Sequence, residues 1–152
     1  NKPLGTIGVV KELYKKISSN FILSNCDTII KADFNEILKF HIKNKYDITI
    51  VASLKKYNIP YGICETDEKN NFLRINEKPN LDYLVNTGLY VISKKTLLEI
   101  PKDTKYDMNQ LITKLRNKNK KIGIFPITDK AWIDVGRWSE YKKAVKDLEK
   151  IS

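Results

Sequence analysis

Nothing in these 152 residues approaches the roughly 18 consecutive apolar residues that a membrane helix needs. The start also lacks the charged, apolar and small-residue succession of a signal peptide. Cysteine is scarce. Cys26 and Cys64 have no metal-type spacing and are too few for a disulfide framework, so they read as free thiols in a reducing cytoplasm. The single histidine, His41, stands at helical spacing from Leu38 and Ile42 and reads as a packed side chain rather than a base. Without a second histidine, Cys26 has no partner that would make it a nucleophile. Repeats and low-complexity linkers are missing too. With 41% hydrophobic and 30% charged residues, this composition describes one soluble globular domain.

Acid is outnumbered, with 18 Asp and Glu against 28 Lys and Arg, a formal net charge of +10. Such an excess suggests a polyanionic partner. The lysines are spread along the chain, however (Lys11, Lys15, Lys16, Lys31, Lys39, Lys43, Lys45), mostly on the polar faces of predicted helices. Aromatics interleaved for base stacking are lacking. The charge reads as a solvated surface, with neither nucleic acid nor membrane as partner.

The periodicities predict alternating helices and strands. Thr6 is placed to cap a helix carrying Val9, Val10, Leu13, Tyr14 and Ile17. Phe21-Ile22-Leu23-Ser24 suits a strand buried on both faces. Asp33 caps a helix with Phe34, Ile37, Leu38, His41 and Ile42 on one side, and residues 48–54 form a β-branched strand. This order indicates a mainly parallel sheet with helices on its faces. Residues 61–65 and 72–75 then form a hairpin around the turn 67–71, which makes the sheet mixed. Residues 85–92 are a further strand and 94–100 a short helix stopped by Pro101. Asp107 caps a helix carrying Met108, Leu111, Ile112 and Leu115. Residues 122–127 and 132–134 are late strands, and Trp138, Tyr141, Ala144, Val145 and Leu148 line a last helix.

Several residues are placed to carry chemistry. Asp27 follows the first strand, and ligand crevices in open α/β sheets lie at the carboxyl ends of strands. Asp134 ends Trp132-Ile133 and precedes Val135-Gly136, where glycine permits a sharp turn. If the two strand ends meet, the pair makes a hard-oxygen site suited to Mg²⁺ bridging phosphate oxygens; otherwise each aspartate caps the element after it. In Glu77-Lys78-Pro79, adjacent strand side chains point to opposite faces unless a bulge intervenes. The cluster reads either as a sugar-hydroxyl acceptor beside a phosphate-binding cation or as a solvated surface pair. Asn86-Thr87-Gly88 reads either as a place where a sugar ring approaches the backbone or as a turn. The loop Lys2-Pro3-Leu4-Gly5-Thr6-Ile7-Gly8 has two glycines before a helix and offers main chain to a planar base or ribose. It is not a Walker A loop, since no Gly-Lys-Thr/Ser follows.

The order of these clusters is more specific than any one of them. Leu4-Gly5-Thr6-x-Gly8, Asn25-x-Asp27, Tyr61-Gly62, Glu77-Lys78-Pro79, Asn86-Thr87-Gly88 and Trp132-Ile133-Asp134-Val135-Gly136 together resemble the sugar-1-phosphate nucleotidyltransferase family. The resemblance runs from residue 2 to about residue 146, and is nearest to bacterial guanylyltransferases and mannose-1-phosphate-guanylyltransferase-like members of surface-glycan pathways, some with CBS modules upstream. It implies a Rossmann-like three-layer α/β domain with a mixed, mainly parallel sheet, in the cytoplasm. It also implies Mg²⁺ on Asp27 and Asp134, a nucleobase and ribose along loop 3–8, and Lys78 on the phosphate of a sugar 1-phosphate. Gly62, Glu77, Asn86 and Thr87 would hold the sugar, with Asn25, Tyr61 and Gly88 also among the substrate-binding residues. The implied reaction is attack of the sugar-phosphate oxygen on the α-phosphorus of a nucleoside triphosphate, GTP by resemblance, with release of pyrophosphate.

Two departures stand out. Cys26 replaces the small glycine often found before the first metal aspartate; as a small apolar residue it fits the same space. More important, the family opens with a strand and a Gly-rich loop bearing an Arg, followed by Lys-Pro, and nothing in these residues matches them. The chain begins at Asn1, within a loop rather than a strand, and reads as a cut inside a larger protein: residues 1–152 as a partial catalytic domain, truncated at its N-terminus and by itself inactive. A sheet stripped of strands leaves an edge for self-association into a homo-oligomer. Two other readings are a metal-dependent glycosyltransferase and a non-catalytic sugar or nucleotide-binding module. The first calls for Asp-x-Asp, whereas Thr28-Ile29 follows Asp27.

Overall fold

The structure is a computed structural model that describes residues 4–136. The expected last helix and the loop residue Pro3 lie outside the described residues. Two local periodicities, period two in strands and about 3.6 in helices, sort the described chain into its elements. These are α1 (Gly5–Gly8), a 3-10 segment (Val9–Lys15), β1 (Phe21–Ser24), β2 (Thr28–Ile30), α2 (Phe34–Asn44), β3 (Ile48–Asn58), β4 (Ile63–Thr66) and β5 (Phe72–Asn76). After them come β6 (Asn80–Ile92), a 3-10 segment (Lys94–Glu99), α3 (Met108–Asn117), β7 (Ile122–Ile127), a 3-10 turn (Asp129–Ala131) and β8 (Trp132–Asp134).

The main sheet has the order β1-β6-β3-β7. β6 runs antiparallel to both β1 and β3, while β3 and β7 are parallel. So β1, β3 and β7 share one direction and β6 alone is reversed between them. The sheet is mixed, as expected, but through β6 rather than the hairpin, since β4 and β5 form a separate two-stranded sheet, and β1 and β3 are not neighbours. Alternation along β6 sends its side chains to two layers. Leu89 and Val91 join Ile37, Val51 and Ile127 under α2. Tyr90 and Ile92 join Ile7, Val10, Leu111 and Leu115 under α1 and α3. Helices on both faces of one sheet make the three-layer α/β fold.

Several elements differ from their sequence reading for identifiable reasons. β1 is not buried on both faces: Phe21 and Leu23 pack against the core while Ile22 stays 40% exposed. It is an edge strand among the described residues, and only one of its faces is covered. In α2, Ile37 and His41 are buried, but Phe34 and Ile42 are exposed, so the apolar stripe is narrower than the pattern suggests. Past α1 the first helical run is a 3-10 segment in which Val9 and Leu13 are exposed. β3 and β6 extend well past their apolar halves. Lys55 to Asn58 and Asn80 to Leu84 are too polar to read as strands, yet pair residue by residue into a two-stranded ribbon. The ladder continues through Ile59 N–H to Pro79 O and Lys78 N–H to Tyr61 O, and then into the β4–β5 hairpin.

One buried polar cluster joins three strand ends. Asp47, just before β3, accepts from Lys121 N–H at 3.0 Å ahead of β7 and pairs with Lys95 at 2.8 Å after β6. Burial alone would raise its carboxyl, but the hydrogen bonds from Lys95 and Lys121 and the charges of Lys95 and Lys120 hold it below the ordinary range. His41, 1% exposed, lies next to it. Its Nε2 meets Ser93 Oγ at 3.1 Å and its Nδ1 meets Thr49 Oγ1 at 2.9 Å. Ser93 gives its hydroxyl proton to Tyr46 O, so it accepts from Nε2–H. The neutral Nε2–H tautomer follows, with Thr49 donating to Nδ1.

Burial lowers the affinity of His41 for a proton below its ordinary value of 6.5, against a smaller opposing pull from Asp47. Below that value the unfolded chain binds a proton that the folded chain resists, so stability falls as pH falls through this window. Urea unfolding between pH 7.5 and about 5 should show this loss, and His41→Gln should flatten that part of the profile. An unchanged slope in His41→Gln would remove the histidine from the account.

Candidate functional site

Two groups of residues converge at the carboxyl end of β1. The first forms a polar cleft of about 420 Å³ whose lining includes Thr6, Ser24, Asn25, Asn86, Tyr90 and Asn109. Gly88 makes it possible. Its φ is +81°, and a Cβ there would stand 2.7 Å from Asn25 Nδ2. The Asn25 side chain therefore rests on the bare backbone of β6, while Asn25 N–H donates to Gly88 O at 3.0 Å. Asn86 is held from two sides: its Oδ1 accepts from Gly88 N–H at 3.0 Å, and its Nδ2 donates to the Tyr90 hydroxyl at 2.7 Å. Tyr90 has the even spacing from Asn86 that places both on one face of a strand, a relation visible in the sequence.

Thr87 belongs elsewhere. It is 3% exposed, and its hydroxyl donates to Val51 O at 2.8 Å and accepts from Leu89 N–H at 3.3 Å. Val51 lies within the register shift of the β3–β6 ladder. A bulge leaves a residue unpaired in the ladder, and the threonine satisfies its carbonyl. Alternation along the strand turns Thr87 away from the face that carries Asn86.

The second group is the aspartate pair. β2 and β8 form a short antiparallel ladder with Thr28 opposite Asp134 and Ile30 opposite Trp132. Trp132 Nε1–H donates to Thr28 Oγ1 at 2.8 Å, and Lys55, paired with Asp129, lies 5.1 Å from the Trp132 ring centre. The ladder ends with Val135 N–H on Asp27 O at 3.0 Å. Both carboxylates then meet at Gly136: a Cβ on that residue would lie 2.8 Å from Asp27 Oδ2 and 3.2 Å from Asp134 Oδ1. Among the described residues no three His, Cys, Asp or Glu side chains gather as metal ligands. Two carboxylates converging where no Cβ intrudes nevertheless fit Mg²⁺, which commonly takes one or two protein carboxylates and completes its shell with water and phosphate oxygens.

The Glu77-Lys78 corner sits at the ribbon junction. Lys78 has φ +44°, which interrupts strand alternation and allows the adjacent Glu77 and Lys78 to depart from opposite faces. The Glu77 carboxylate lies against Gly62, where a Cβ would be 2.7 Å from Oε2. Tyr61 is 74% exposed beside it.

Loop 3–8 divides. Thr6 lines the cleft, whereas Leu4 and Gly8 line a different cavity. Gly5, at φ +74°, is close to Tyr106 O and Asp107 Oδ1, so its missing side chain admits the neighbouring chain. Nor does Thr6 cap its own helix. Leu4 takes the N-cap position, Thr6 Oγ1 accepts from Met108 N–H at 3.0 Å, and Thr6 N–H donates to Asp107 Oδ1 at 3.1 Å. The starts of α1 and α3 thus cap each other across a hundred residues. Ser24, Tyr90 and Asn109 join the cleft although they belong to none of the sequence motifs. Cys26 and Cys64 are free and exposed.

The family model Nucleotidyl transferase matches residues 1–151. A D-glycero-alpha-D-manno-heptose 1-phosphate guanylyltransferase of Aneurinibacillus thermoaerophilus is 27% identical over 97% of this chain and 64% of its own length. A mannose-1-phosphate guanylyltransferase of Mycobacterium tuberculosis is 26% identical over 96% of this chain and 42% of its own. A UTP–glucose-1-phosphate uridylyltransferase of Synechocystis is 24% identical, with 97% and 40% covered. HddC from Yersinia pseudotuberculosis, 27% identical, superposes with a TM-score of 0.69 over 97% of this chain and 64% of that one, and has also been solved complexed with GMP-PN. The chain thus spans less than two thirds of the length of these relatives.

Thr87→Val should cost about 1–3 kcal/mol in urea unfolding, because Val51 O loses its partner. A stability within a few tenths of a kcal/mol of the parent would contradict the sheet-tying role.

Proposed function

The chain belongs to the nucleotidyl transferase family, and on that footing we propose that it supplies the acceptor-sugar and metal half of a sugar-1-phosphate nucleotidyltransferase. The observation that carries the reading is the meeting of Asp27 and Asp134 at Gly136, beside a cleft lined by amides and hydroxyls. Asp27 and Asp134 would hold Mg²⁺, which when bound would draw phosphate oxygens together and offset their charge. Asn25 and Asn86 offer both donors and acceptors, the chemistry that recognises sugar hydroxyls. Their orientation is already set by Gly88 and Tyr90, so little ordering remains to be done on binding.

The sugar-phosphate oxygen attacks the α-phosphorus of a nucleoside triphosphate, and pyrophosphate leaves. This chemistry asks the protein mainly for alignment and charge neutralisation. Lys78 is the cation assigned to the acceptor phosphate, with Glu77 and Gly62 at the sugar. GTP is the favoured donor, supported by the guanylyltransferase names of two relatives and by the GMP-PN complex of HddC. Upstream CBS modules, homo-oligomer formation and a cytoplasmic setting belong to the same reading. The 152 residues contain no Gly-rich loop with an Arg to grip a triphosphate, so by themselves they are assigned negligible turnover.

In the protein that carries this chain, pyrophosphate release with Mg²⁺, GTP and mannose or heptose 1-phosphate should fall about 100-fold or more in Asp27→Asn and in Asp134→Asn. Activity retained in both variants would sink the metal assignment. Thermal shifts with GTP, CTP, UTP and dTTP test the base, and a clear pyrimidine preference would overturn guanine. Turnover by the 152 residues alone at an ordinary enzyme rate would overturn the expected inactivity.

A further inference from the structure

Besides the polar cleft there is a second cavity of about 290 Å³. Its apolar lining comes from Leu4, Tyr14 and Leu98, and three lysines contribute to it, Lys11, Lys15 and Lys102. Glu12 and Asp103 also line it, so the balance is one net positive charge. Lys11 Nζ donates one hydrogen bond to Leu97 O at 2.8 Å; an ammonium has three to give.

The two cavities share a wall. Leu4, Gly8 and Lys102 face the second cavity, while Thr6, Asp107, Met108 and Asn109 face the cleft. Hydrogen bonds unite the pieces: Tyr106 N–H donates to Leu4 O at 2.9 Å, and Tyr106 O accepts from Ile7 and Gly8 N–H, both at 3.1 Å. The Thr6 and Asp107 caps complete the unit. A ligand that draws Leu4 and Lys102 together acts on the same rigid piece that positions Thr6 and Asn109.

We propose that the second cavity is an effector site for a compact organic phosphate, coupled through this shared wall to the polar cleft. Three lysines lining one space, each able to turn its ammonium toward a ligand, favour a dianion with multiple acceptor oxygens. The apolar floor favours a carbon body on that phosphate over the bare, fully hydrated ion. The volume lies at the small end of the roughly 300–1,000 Å³ typical of ligand sites, which suits a compact ligand better than a nucleoside triphosphate. Coupling through the wall is reciprocal: whatever occupancy does to cleft affinity, a cleft ligand does to the effector. None of this depends on which reaction the cleft performs.

The test is an amide NMR titration of the full chain with phenyl phosphate, and with inorganic phosphate in parallel. Saturable shifts are expected at Lys11, Lys15 and Lys102, carried through to Thr6 and Asp107, with phenyl phosphate binding the tighter. The double substitution Lys15→Ala/Lys102→Ala, at two exposed positions, should weaken binding about tenfold or more. Lys43→Ala, on α2 in the opposite layer, should leave it unchanged. Absence of saturation, equal loss in Lys43→Ala, or shifts centred on Asn25 and Asn86 would overturn the site. Equal affinity for the two phosphates would overturn the organic class, and silent Thr6 and Asp107 amides would overturn the coupling.

Discussion

A reversed strand in the middle of the main sheet constrains everything else in this molecule. β6 pairs on one side with β1 and on the other with β3, so its side chains must serve two layers while its backbone feeds two ladders. Along its inner half every residue from Thr87 to Ile92 is buried. At Gly88 the strand lacks a side chain, and there the chain leaving β1 crosses close enough for Asn25 to lie on it. Beyond Asn86 the same strand leaves the core and becomes the exposed ribbon that carries the Glu77-Lys78 corner. Core, cleft and corner are successive stretches of one element.

The polar residues of the motifs are held by glycines as much as by partners. Asn25 lies on Gly88, Glu77 on Gly62, and the two aspartates around Gly136. The contacts of Asn25, Glu77 and Asp27 are nearer than a Cβ would allow, and that of Asp134 is tight. These glycines give neighbouring side chains room. The close packing fixes their directions before anything binds, the preorganisation on which positioning chemistry depends.

Legibility followed the length and purity of local signals. The α2 cap at Asp33 and the α3 stripe of Met108, Leu111 and Leu115 were readable because cap and period lie within a dozen residues. β2 was not, since three residues carry no resolvable period and its partner β8 lies a hundred positions away. The outer halves of β3 and β6 were also hidden: a ribbon solvated on both faces shows no hydrophobic alternation. Thr6 shows the same limit at a single residue. Its type marks a helix cap, but the helix it caps is α3.

The sequence by itself determined the residue types of the site, their order and the alternating α/β elements between them, because these follow from composition and short-range periodicity. It also identified Asp27 and Asp134 as strand-end carboxylates. Only the tertiary structure decided that they face one point, that Thr87 serves the sheet instead of the cleft, and that Tyr90 and Asn109 join the lining. Those outcomes depend on register, and pairing across a hundred residues is set by the burial of whole faces, which no local stretch of sequence contains.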